Sequence, residues 1–382
     1  MASKNRSDGD GSIYYDKARD RWVGVYVVDW VDGKPIRRKV SGKSRAAAAT
    51  KLRDLRDKVK AGNLPAGRLP TVEQWLTVWL EEIAAHRVKP TTMQLYRTRV
   101  RHRIIPLLGQ HRLDKLRPEH IEKAWRYQID DRGLTAGSVR VDHRILARSL
   151  KVAQQRGYLT RNPATMIDAP SGPEAPMDVL SGPEVAKLLG AIANMKRNGA
   201  RWSVALALGL RPGEALGLRW SDVDLDSGTI HVRNTLTRIT GKGLVLGTAK
   251  SRSGQRSLAV PDALVRQLKA HRKAQAAERL AAGSHWVDGD FVFAQPNGKP
   301  IDPQADGRTW HELTEAAGVR KVRRYTTRHT AATLLLAQGV APRVAMDILG
   351  HASMQMTTRY QHVADEMQRE AMRRQGDALW GS

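Results

Sequence analysis

The first part of the chain shows the two-residue alternation of apolar and polar positions that is typical of strands. It runs through Ile13–Tyr15, Trp22–Trp30 and Ile36–Val40, and the turn pair Asp32-Gly33 separates the last two stretches. β-Branched and aromatic residues around an Asp-Gly turn predict antiparallel strands. Residues 44–60, rich in Ala, Leu, Lys and Arg, predict a helix. We therefore expect a small three-stranded sheet with one helix.

Residues 71–161 follow the three-four spacing of amphipathic helices instead. Trp75–Leu80 places two tryptophans and two leucines on one helical face, and further helices are predicted around Met93–Val100, Ile121–Ile129 and Val139–Val152. Because these tryptophans lie within the apolar stripes, we interpret them as core residues rather than base-stacking surfaces.

From about residue 178 the pattern changes to helices, short strands and helices again. Ser181-Gly-Pro-Glu184 has the spacing of a capping box and predicts a helix start. Short strands are predicted at Asp224–Leu225, Thr229–Val232, Leu244–Leu246 and Ser257–Val260. The predicted fold class is α+β and mostly α, with a helical bundle between the small sheet domain and a mixed helical domain.

Glycine and proline mark the boundaries between these parts. They interrupt the pattern at residues 61–70, and five prolines occur within residues 162–184, which excludes a single helix or a central strand there. The predicted division is a sheet-and-helix domain at 1–64, a helical domain at 65–165, a linker at 166–177 and a mixed domain at 178–382.

The composition indicates a polyanionic partner. The 382 residues include 64 Lys and Arg against 38 Asp and Glu, a formal net charge of +26, and the pI is about 10.7. Such an excess is typical of nucleic-acid-binding proteins. A basic ribosome-associated or membrane-surface protein is the alternative, but 41% hydrophobic residues favour packed domains over a basic tail.

The sequence lacks the residues that several classes of chemistry require. The sequence contains no cysteine, which excludes disulfides, thiolate zinc sites and a cysteine nucleophile. The polar start MASKNRSDGDGS lacks the apolar core of a signal peptide, and no apolar run approaches the ~18 residues of a membrane span. His311-Glu312 is too short for a metal motif. We expect no cofactor, no metal, no membrane and a cytoplasmic location.

Five residues in the second half combine positive charge with a tyrosine hydroxyl. They are Arg211 in GLRPGEALGLRW, Lys250 in TAKSRSGQRS, Arg328 in YTTRHTAATLLLAQGV, His351 in ILGHAS and Tyr360 in TTRYQHV. Two arginines, a lysine and a histidine can stabilise the charge that builds on a phosphodiester, and tyrosine can supply the nucleophile. Glu214, three residues after Arg211, is a carboxylate that could orient it.

This order of motifs resembles the catalytic domain of the tyrosine recombinases, the phage-integrase family. The upstream parts resemble the arm-type and core-type DNA-binding domains of phage and actinobacterial integrases. The resemblance implies a site-specific recombinase that integrates or excises a phage or mobile element through a 3′-phosphotyrosyl intermediate. A type IB topoisomerase-like strand transferase, or a DNA-binding protein of recombinase descent with weak or no catalysis, is the alternative.

The resemblance also implies roles for individual residues. Tyr360 would be the nucleophile, and its polar neighbours indicate an accessible hydroxyl. Arg211 and Arg328 would clamp the scissile phosphate, while His351 would donate a hydrogen bond or carry a proton. Lys250, which we expect near a hairpin tip, would protonate the leaving 5′ oxygen, with Lys242 as the competing candidate.

One position departs from the family pattern. Most relatives have a histidine three residues before the second arginine, where this chain has Tyr325. A phenol can donate a hydrogen bond to a phosphate oxygen but is a poor base, with a reference pKa of about 10. We include Tyr325 in the catalytic set. His329 follows Arg328 directly, and we expect it to project in a different direction.

Two groups of cations are candidates for DNA contact. The run around residues 97–103 contains no acidic residue, so we interpret it as a phosphate-binding helix rather than a solvated face. The cations of the predicted sheet favour groove or phosphate contact over a merely solvated edge. The two groups are Arg97, Arg99, Arg101 and Arg103, and Arg19, Arg21, Lys34, Arg37, Arg38 and Lys39.

The resemblance implies partners as well. They are double-stranded DNA with core-type and arm-type attachment sites in a bacterial host, a homotetramer on that DNA, a host DNA-bending protein and an excision factor. The segment Val363–Trp380 has an apolar stripe of Met367, Met372 and Leu379 that suits docking on a neighbouring protomer. A helix that folds back on its own domain is the alternative.

Overall fold

The chain divides into two compact units, Met1–Glu174 and Ala175–Ser382. This division falls within the predicted linker, whereas the finer boundaries stay predictions. The computed structural model describes residues 11–31, 34–60, 69–173, 177–248, 254–351, 353–354 and 360–381.

The first unit opens with the three-stranded antiparallel sheet that the alternation predicts. Strands β1 (Ser12–Asp16), β2 (Arg21–Val31) and β3 (Lys34–Gly42) lie in the order β1-β2-β3, and helix α1 (Arg45–Lys60) packs on β2 and β3. A register shift between Val27 and Asp29 marks a bulge in β2. The predicted turn at Asp32-Gly33 lies outside the described residues.

The register sorts the sheet's side chains onto two faces. Gly24 lies against α1, since a Cβ on Gly24 would stand 3.2 Å from the Leu52 side chain. Arg38, which pairs with Tyr26, belongs to this helix-facing set because alternate residues of β2 share a face. Arg37 and Lys39 are exposed and belong to the opposite, open face.

The rest of the first unit is helical, as predicted. Trp75, Trp79 and Trp125 are buried in one core, so their assignment to the core is confirmed. The α-helices are α2 (Val72–Val78), α3 (Pro90–Arg99), α4 (Ile105–Leu108), α5 (Pro118–Arg126) and α6 (Ala136–Gln155). The π-helical turns are Trp79–Ala84, Val100–Ile104 and Tyr127–Asp131, and the 3-10 turns are Leu113–Lys115 and Pro163–Thr165.

The second unit begins with the predicted capping box, in which Ser181 and Glu184 bond each other's backbone at the start of α7. Its helices are α7 (Gly182–Ala193), α8 (Gly199–Leu208), α9 (Pro212–Leu216), α10 (Asp262–Ala282), α11 (Pro303–Ala316), α12 (Thr326–Ala337), α13 (Pro342–Leu349) and α14 (Gln361–Trp380). Its 3-10 turns are Trp220–Asp222 and Gly283–His285.

Two small antiparallel sheets lie between α9 and α10. One contains β4 (Val223–Asp224), β5 (Thr229–Val232) and β8 (Arg256–Ala259), and the other pairs β6 (Asn234–Ile239) with β7 (Gly243–Thr248). The sequence pattern missed β6. Because β7 and β8 belong to different sheets, the expected hairpin between them is wrong, and Lys250 itself lies outside the described residues.

Among the described helices, none is both long enough and apolar enough to cross a bilayer.

Candidate functional site

Arg211 stands at the N-cap of α9 and is held by a carboxylate one turn later. Its Nη1 donates to Glu214 Oε1 at 2.6 Å, and its backbone N–H donates to Glu214 Oε2 at 3.0 Å. Burial acts to lower the pKa of Arg211, but Glu214 and a hydrogen bond that Arg211 donates to the Tyr325 hydroxyl outweigh it and raise this pKa. The side chain of Arg211 keeps 31% of its surface exposed, so the guanidinium can still reach a ligand.

Glu214 also accepts a hydrogen bond from a second arginine, which the sequence pattern did not identify. Arg256, on β8, donates to Glu214 at 3.1 Å and to the Ile348 carbonyl at 2.6 Å. Burial would raise the pKa of Glu214, yet Arg256 and Arg211 lower it, so this buried carboxylate stays ionised. No local pattern could reveal Arg256, because it lies 42 residues from its partner.

Arg328 occupies the first turn of α12 and is completely buried, with 0% exposure. It donates to the carbonyl of Gly209 at 2.7 Å and to the carbonyl of Leu349. Its Nε is buried and has no hydrogen-bond partner among the described residues. Burial first, and Arg211 next, lower the pKa of Arg328 to about 10, so the guanidinium stays charged near neutral pH.

Gly350 and His351 form the turn after α13. Gly350 takes a left-handed backbone with φ 64°, which glycine adopts without strain, and its carbonyl accepts from Arg211 Nη2 at 2.9 Å. His351 is 2% exposed, so it is not a surface histidine. Burial, followed by Arg328 and Arg211, lowers the pKa of His351 to about 4, and the ring is therefore neutral at pH 7.

Tyr360 lies at the N-cap of α14, with its ring parallel to that of His351. The planes meet at 8° and the centroids are 5.9 Å apart. The expected accessible hydroxyl is not observed, since Tyr360 is 5% exposed and packs with Ala332, Leu336 and Leu349. Tertiary contacts from α12 and α13 therefore outweigh the polarity of its sequence neighbours.

His329, which the sequence analysis set aside, lies beside Tyr360. Its Nδ1 lies 2.8 Å from the hydroxyl of Tyr360. The available signal was its position four residues after Tyr325, because residues four apart share a helical face. The two rings meet edge to face with centroids 5.0 Å apart. Tyr325 is 38% exposed and lies beside Arg211, within the same cluster.

The two lysine candidates differ in what the structure describes. Lys250 falls outside the described residues. Lys242 is exposed in the turn between β6 and β7, where its backbone N–H donates to the Ile239 carbonyl. Among the described residues, no group of three or more histidine or acidic side chains could hold a metal ion.

The basic run 97–103 has acidic partners on neighbouring helices. Arg99 and Arg103 donate to Ser138 and pair with the buried Asp142, at 2.8 and 3.5 Å. Arg97 and Arg101 share Glu81 and are more exposed. Arg99 and Arg103 therefore connect this run to α6, and DNA contact by the run stays a prediction.

The sheet cations occupy different environments. Arg19 and Arg21 are exposed, like Arg37 and Lys39, whereas Arg38 is half-buried. The side chain of Lys34 lies outside the described part of the structure. The open face of the sheet thus presents at least Arg21, Arg37 and Lys39 together.

The chain is similar to known integrases over most of its length. Residues 178–367 match the phage integrase family, and residues 71–127 match the phage integrase N-terminal SAM-like domain. An integrase of Saccharopolyspora erythraea is 34% identical, with 92% of each chain covered.

Solved structures show the same fold. The Tn1549 transposon integrase in complex with a circular intermediate DNA has a TM-score of 0.66 and 22% identity, covering 78% of this chain and 99% of that one. A lambda integrase tetramer bound to a Holliday junction has a TM-score of 0.58 and 18% identity, covering 94% and 96%.

Proposed function

This chain belongs to the phage integrase family of tyrosine recombinases and is a site-specific DNA recombinase, and from that premise we propose that Tyr360 is its nucleophile. The observation that carries the proposal is the meeting of four distant segments around the turn at Gly350. Arg211 donates to Gly350, Arg328 donates to Leu349, and Tyr360 stacks on His351. Charge and nucleophile are thus brought together in one place.

In the proposed reaction, Tyr360 attacks the scissile phosphate to form a 3′-phosphotyrosyl link, while Lys250 protonates the departing 5′ oxygen. A 5′ hydroxyl of the partner duplex then attacks that link and releases the tyrosine. Each step exchanges one phosphodiester for another, so the reaction requires neither ATP nor a metal ion.

The phosphate would be held by Arg211, Tyr325 and His351, with Arg328 behind them. Arg211 and Tyr325 are partly exposed and lie side by side, which suits direct donation to non-bridging oxygens. Arg328 is fully buried, and its positive charge would stabilise the phosphate electrostatically from the interior of the protein. His351 is neutral and would act as a hydrogen-bond donor rather than as a cation.

We assign DNA contacts to separate parts of the chain. Residues 1–64 would bind arm-type sites through Arg19, Lys34 and the open sheet face with Arg21, Arg37 and Lys39. Arg38, which the sequence analysis included, lies on the helix-facing side and is assigned no DNA contact. Residues 65–165 would bind core-type sites, with Arg97 and Arg101 better placed than Arg99 and Arg103. The two domains would be joined to the catalytic domain, 178–382, by the linker 166–177.

Recombination joins two duplexes, and we propose a homotetramer on the DNA. The lambda integrase tetramer bound to a Holliday junction supports this assembly. Helix α14 lies beside α12 in the same chain, while Met372, Leu379 and Trp380 are exposed toward its end. These apolar side chains would be available to a neighbouring protomer. A host DNA-bending protein and an excision factor would set the direction of recombination on bacterial host DNA in the cytoplasm.

Covalent trapping tests the nucleophile. Bound sites would first be selected from a random-sequence duplex pool, and duplexes carrying a nick at successive positions would then be built from them. Wild type is expected to form a protein–DNA adduct that survives denaturation, whereas Tyr360→Phe forms none. Tyr127→Phe, which alters an exposed tyrosine in the helical part of the first unit, should behave as wild type. Tight binding without an adduct in wild type would instead favour a DNA-binding protein without catalysis.

A further inference from the structure

The hydroxyl of Tyr360 has a basic partner in the folded chain. His329 Nδ1 lies 2.8 Å from it, within hydrogen-bonding distance. Two elements set this contact, because His329 projects from the second turn of α12 while Tyr360 caps the start of α14. The two rings are tilted by 37° with centroids 5.6 Å apart. The contact therefore follows from the packing of α12 against α14.

We propose that His329 is the general base that removes the hydroxyl proton of Tyr360 during DNA cleavage. This role rests on the proposed function of Tyr360 as the nucleophile. His329 contacts the reacting oxygen directly, which makes it a catalytic residue and not only a support for another group.

The surroundings of His329 keep its ring uncharged. Burial first, and the adjacent Arg328 next, lower the pKa of His329, while Asp178 acts in the opposite direction. The neutral ring of His351 and the phenol of Tyr325 also lie near it. With its hydrogen on Nε2, the imidazole has a lone pair on Nδ1 that can accept the tyrosine proton.

Tyr325 is not suited to this task. A phenol is a poor base, and the Tyr325 hydroxyl bonds the guanidinium of Arg211. Tyr325 thus belongs with the phosphate-binding groups, and His329, one helical turn later, lies beside the nucleophile. The base in this chain is displaced by four residues along the same face of α12.

The proton balance of the reaction is complete with this assignment. On cleavage, the O–H bond of Tyr360 breaks, its proton moves to His329 Nδ1, the tyrosine oxygen bonds phosphorus, and the 5′ oxygen leaves with a proton from Lys250. On rejoining, the attacking 5′ hydroxyl returns its proton to Lys250. The imidazolium of His329 then reprotonates the departing tyrosine.

The test separates the base from the acid by changing the leaving group. Cleavage rates would be measured on the selected duplex with an ordinary 5′ oxygen and with a bridging 5′ sulfur, across a range of pH. A thiolate leaves without protonation because thiols have a reference pKa of about 8.5. The variants are His329→Asn, which places an amide near the position of Nδ1, with Lys250→Ala and Tyr360→Phe. His285→Asn, at an exposed histidine on another element, is the matched control.

We expect His329→Asn to slow cleavage by about 10²-fold or more on both duplexes and to lose the decline at low pH that we expect of wild type. Lys250→Ala should be slow on the oxygen duplex and recover on the sulfur duplex. Tyr360→Phe should form no adduct on either, while His285→Asn matches wild type. DNA affinity and melting temperature would verify that each variant folds, and His329→Gln would replace an unfolded His329→Asn.

Three results would overturn the proposal. His329→Asn could cleave at the wild-type rate with an unchanged pH profile, which would make His329 a positioning residue or a bystander. The cleavage rate of His329→Asn could recover on the sulfur duplex, which would mean that His329 helps to protonate the leaving 5′ oxygen. His329→Asn could cleave faster than wild type, which would mean that the contact restrains Tyr360 and inhibits its attack. An adduct that persists in Tyr360→Phe would instead refute the proposed nucleophile, a separate failure.

Discussion

The carboxylate of Glu214 holds the guanidinium of Arg211 at 2.6 Å while remaining buried itself. The same carboxylate also accepts from Arg256, so one anion lies between two cations. The direction in which Arg211 points is therefore set by a residue that need not touch DNA.

Replacing Glu214 by Gln keeps the shape of the side chain and removes its charge. Arg211 and Arg256 would lose their shared counter-ion, which we expect to slow adduct formation by about 10- to 100-fold and to lower the free energy of unfolding by about 3 kcal/mol. Covalent trapping and urea unfolding measure the two effects. Glu312→Gln, at an exposed carboxylate on α11, should change neither. Wild-type cleavage by Glu214→Gln would show that Arg211 is oriented by other contacts.

The hydroxyl of Tyr325 gives a second prediction. Tyr325→Phe removes a donor beside Arg211 and should reduce the cleavage rate by about 10²-fold, the usual effect of losing one donor to a developing oxyanion. Tyr325→His restores a donor and should retain more activity than Tyr325→Phe. Because Tyr325 is partly exposed, the melting temperature should hardly change. Equal rates for wild type and Tyr325→Phe would remove Tyr325 from the catalytic set.

The burial of His351 predicts how stability depends on pH. Its pKa is about 4 in the folded protein against an ordinary 6.5, so between these values the unfolded chain binds a proton that the folded chain does not. The free energy of unfolding therefore has its full value above pH 6.5 with respect to His351. It decreases as the pH falls toward 4, by about 3 kcal/mol in total.

His351→Asn removes this component, so its free energy of unfolding should fall less than that of wild type between pH 7 and pH 4. Urea unfolding at both pH values measures the difference. The other histidines with lowered pKa are present in both proteins, so their contributions to the free energy of unfolding cancel in the difference. A constant gap between wild type and variant would contradict the assignment.

The two faces of the N-terminal sheet predict different salt dependences. Arg37→Ala and Lys39→Ala should each reduce the slope of log affinity against log salt by about 0.9, the value for one lost phosphate contact. Arg38→Ala, on the helix-facing side, is the matched control and should leave the slope unchanged. Binding to a random-sequence duplex over a series of salt concentrations gives the slopes. An effect of Arg38→Ala equal to the others would mean that DNA contacts do not follow the open face.

The sequence allowed prediction of those features that depend on neighbours along the chain. Two-residue alternation predicted β1 to β3, three-four spacing predicted the buried tryptophans, and the capping box at Ser181 marked the start of α7. The position of Arg211 before a helix, with Glu214 as its partner, also followed from local spacing.

Features set by distant parts of the chain could not be predicted in this way. The partners of Arg99 and Arg103 come from α6, about 40 residues later. Tyr360 has polar neighbours in sequence but is buried by α12 and α13. The direction of His329 depends on where α14 packs. In each case the interaction is tertiary, so local pattern alone does not determine it.

Arg328 joins the carbonyl of Gly209, 119 residues before it, to that of Leu349, 21 residues after it. A fragment that stops before residue 349 lacks the second of these carbonyls, together with His351 and Tyr360. Broken or unfinished copies of the chain would thus lack residues on which the proposed cleavage of DNA depends, whatever part of the predicted DNA-contacting surface they keep.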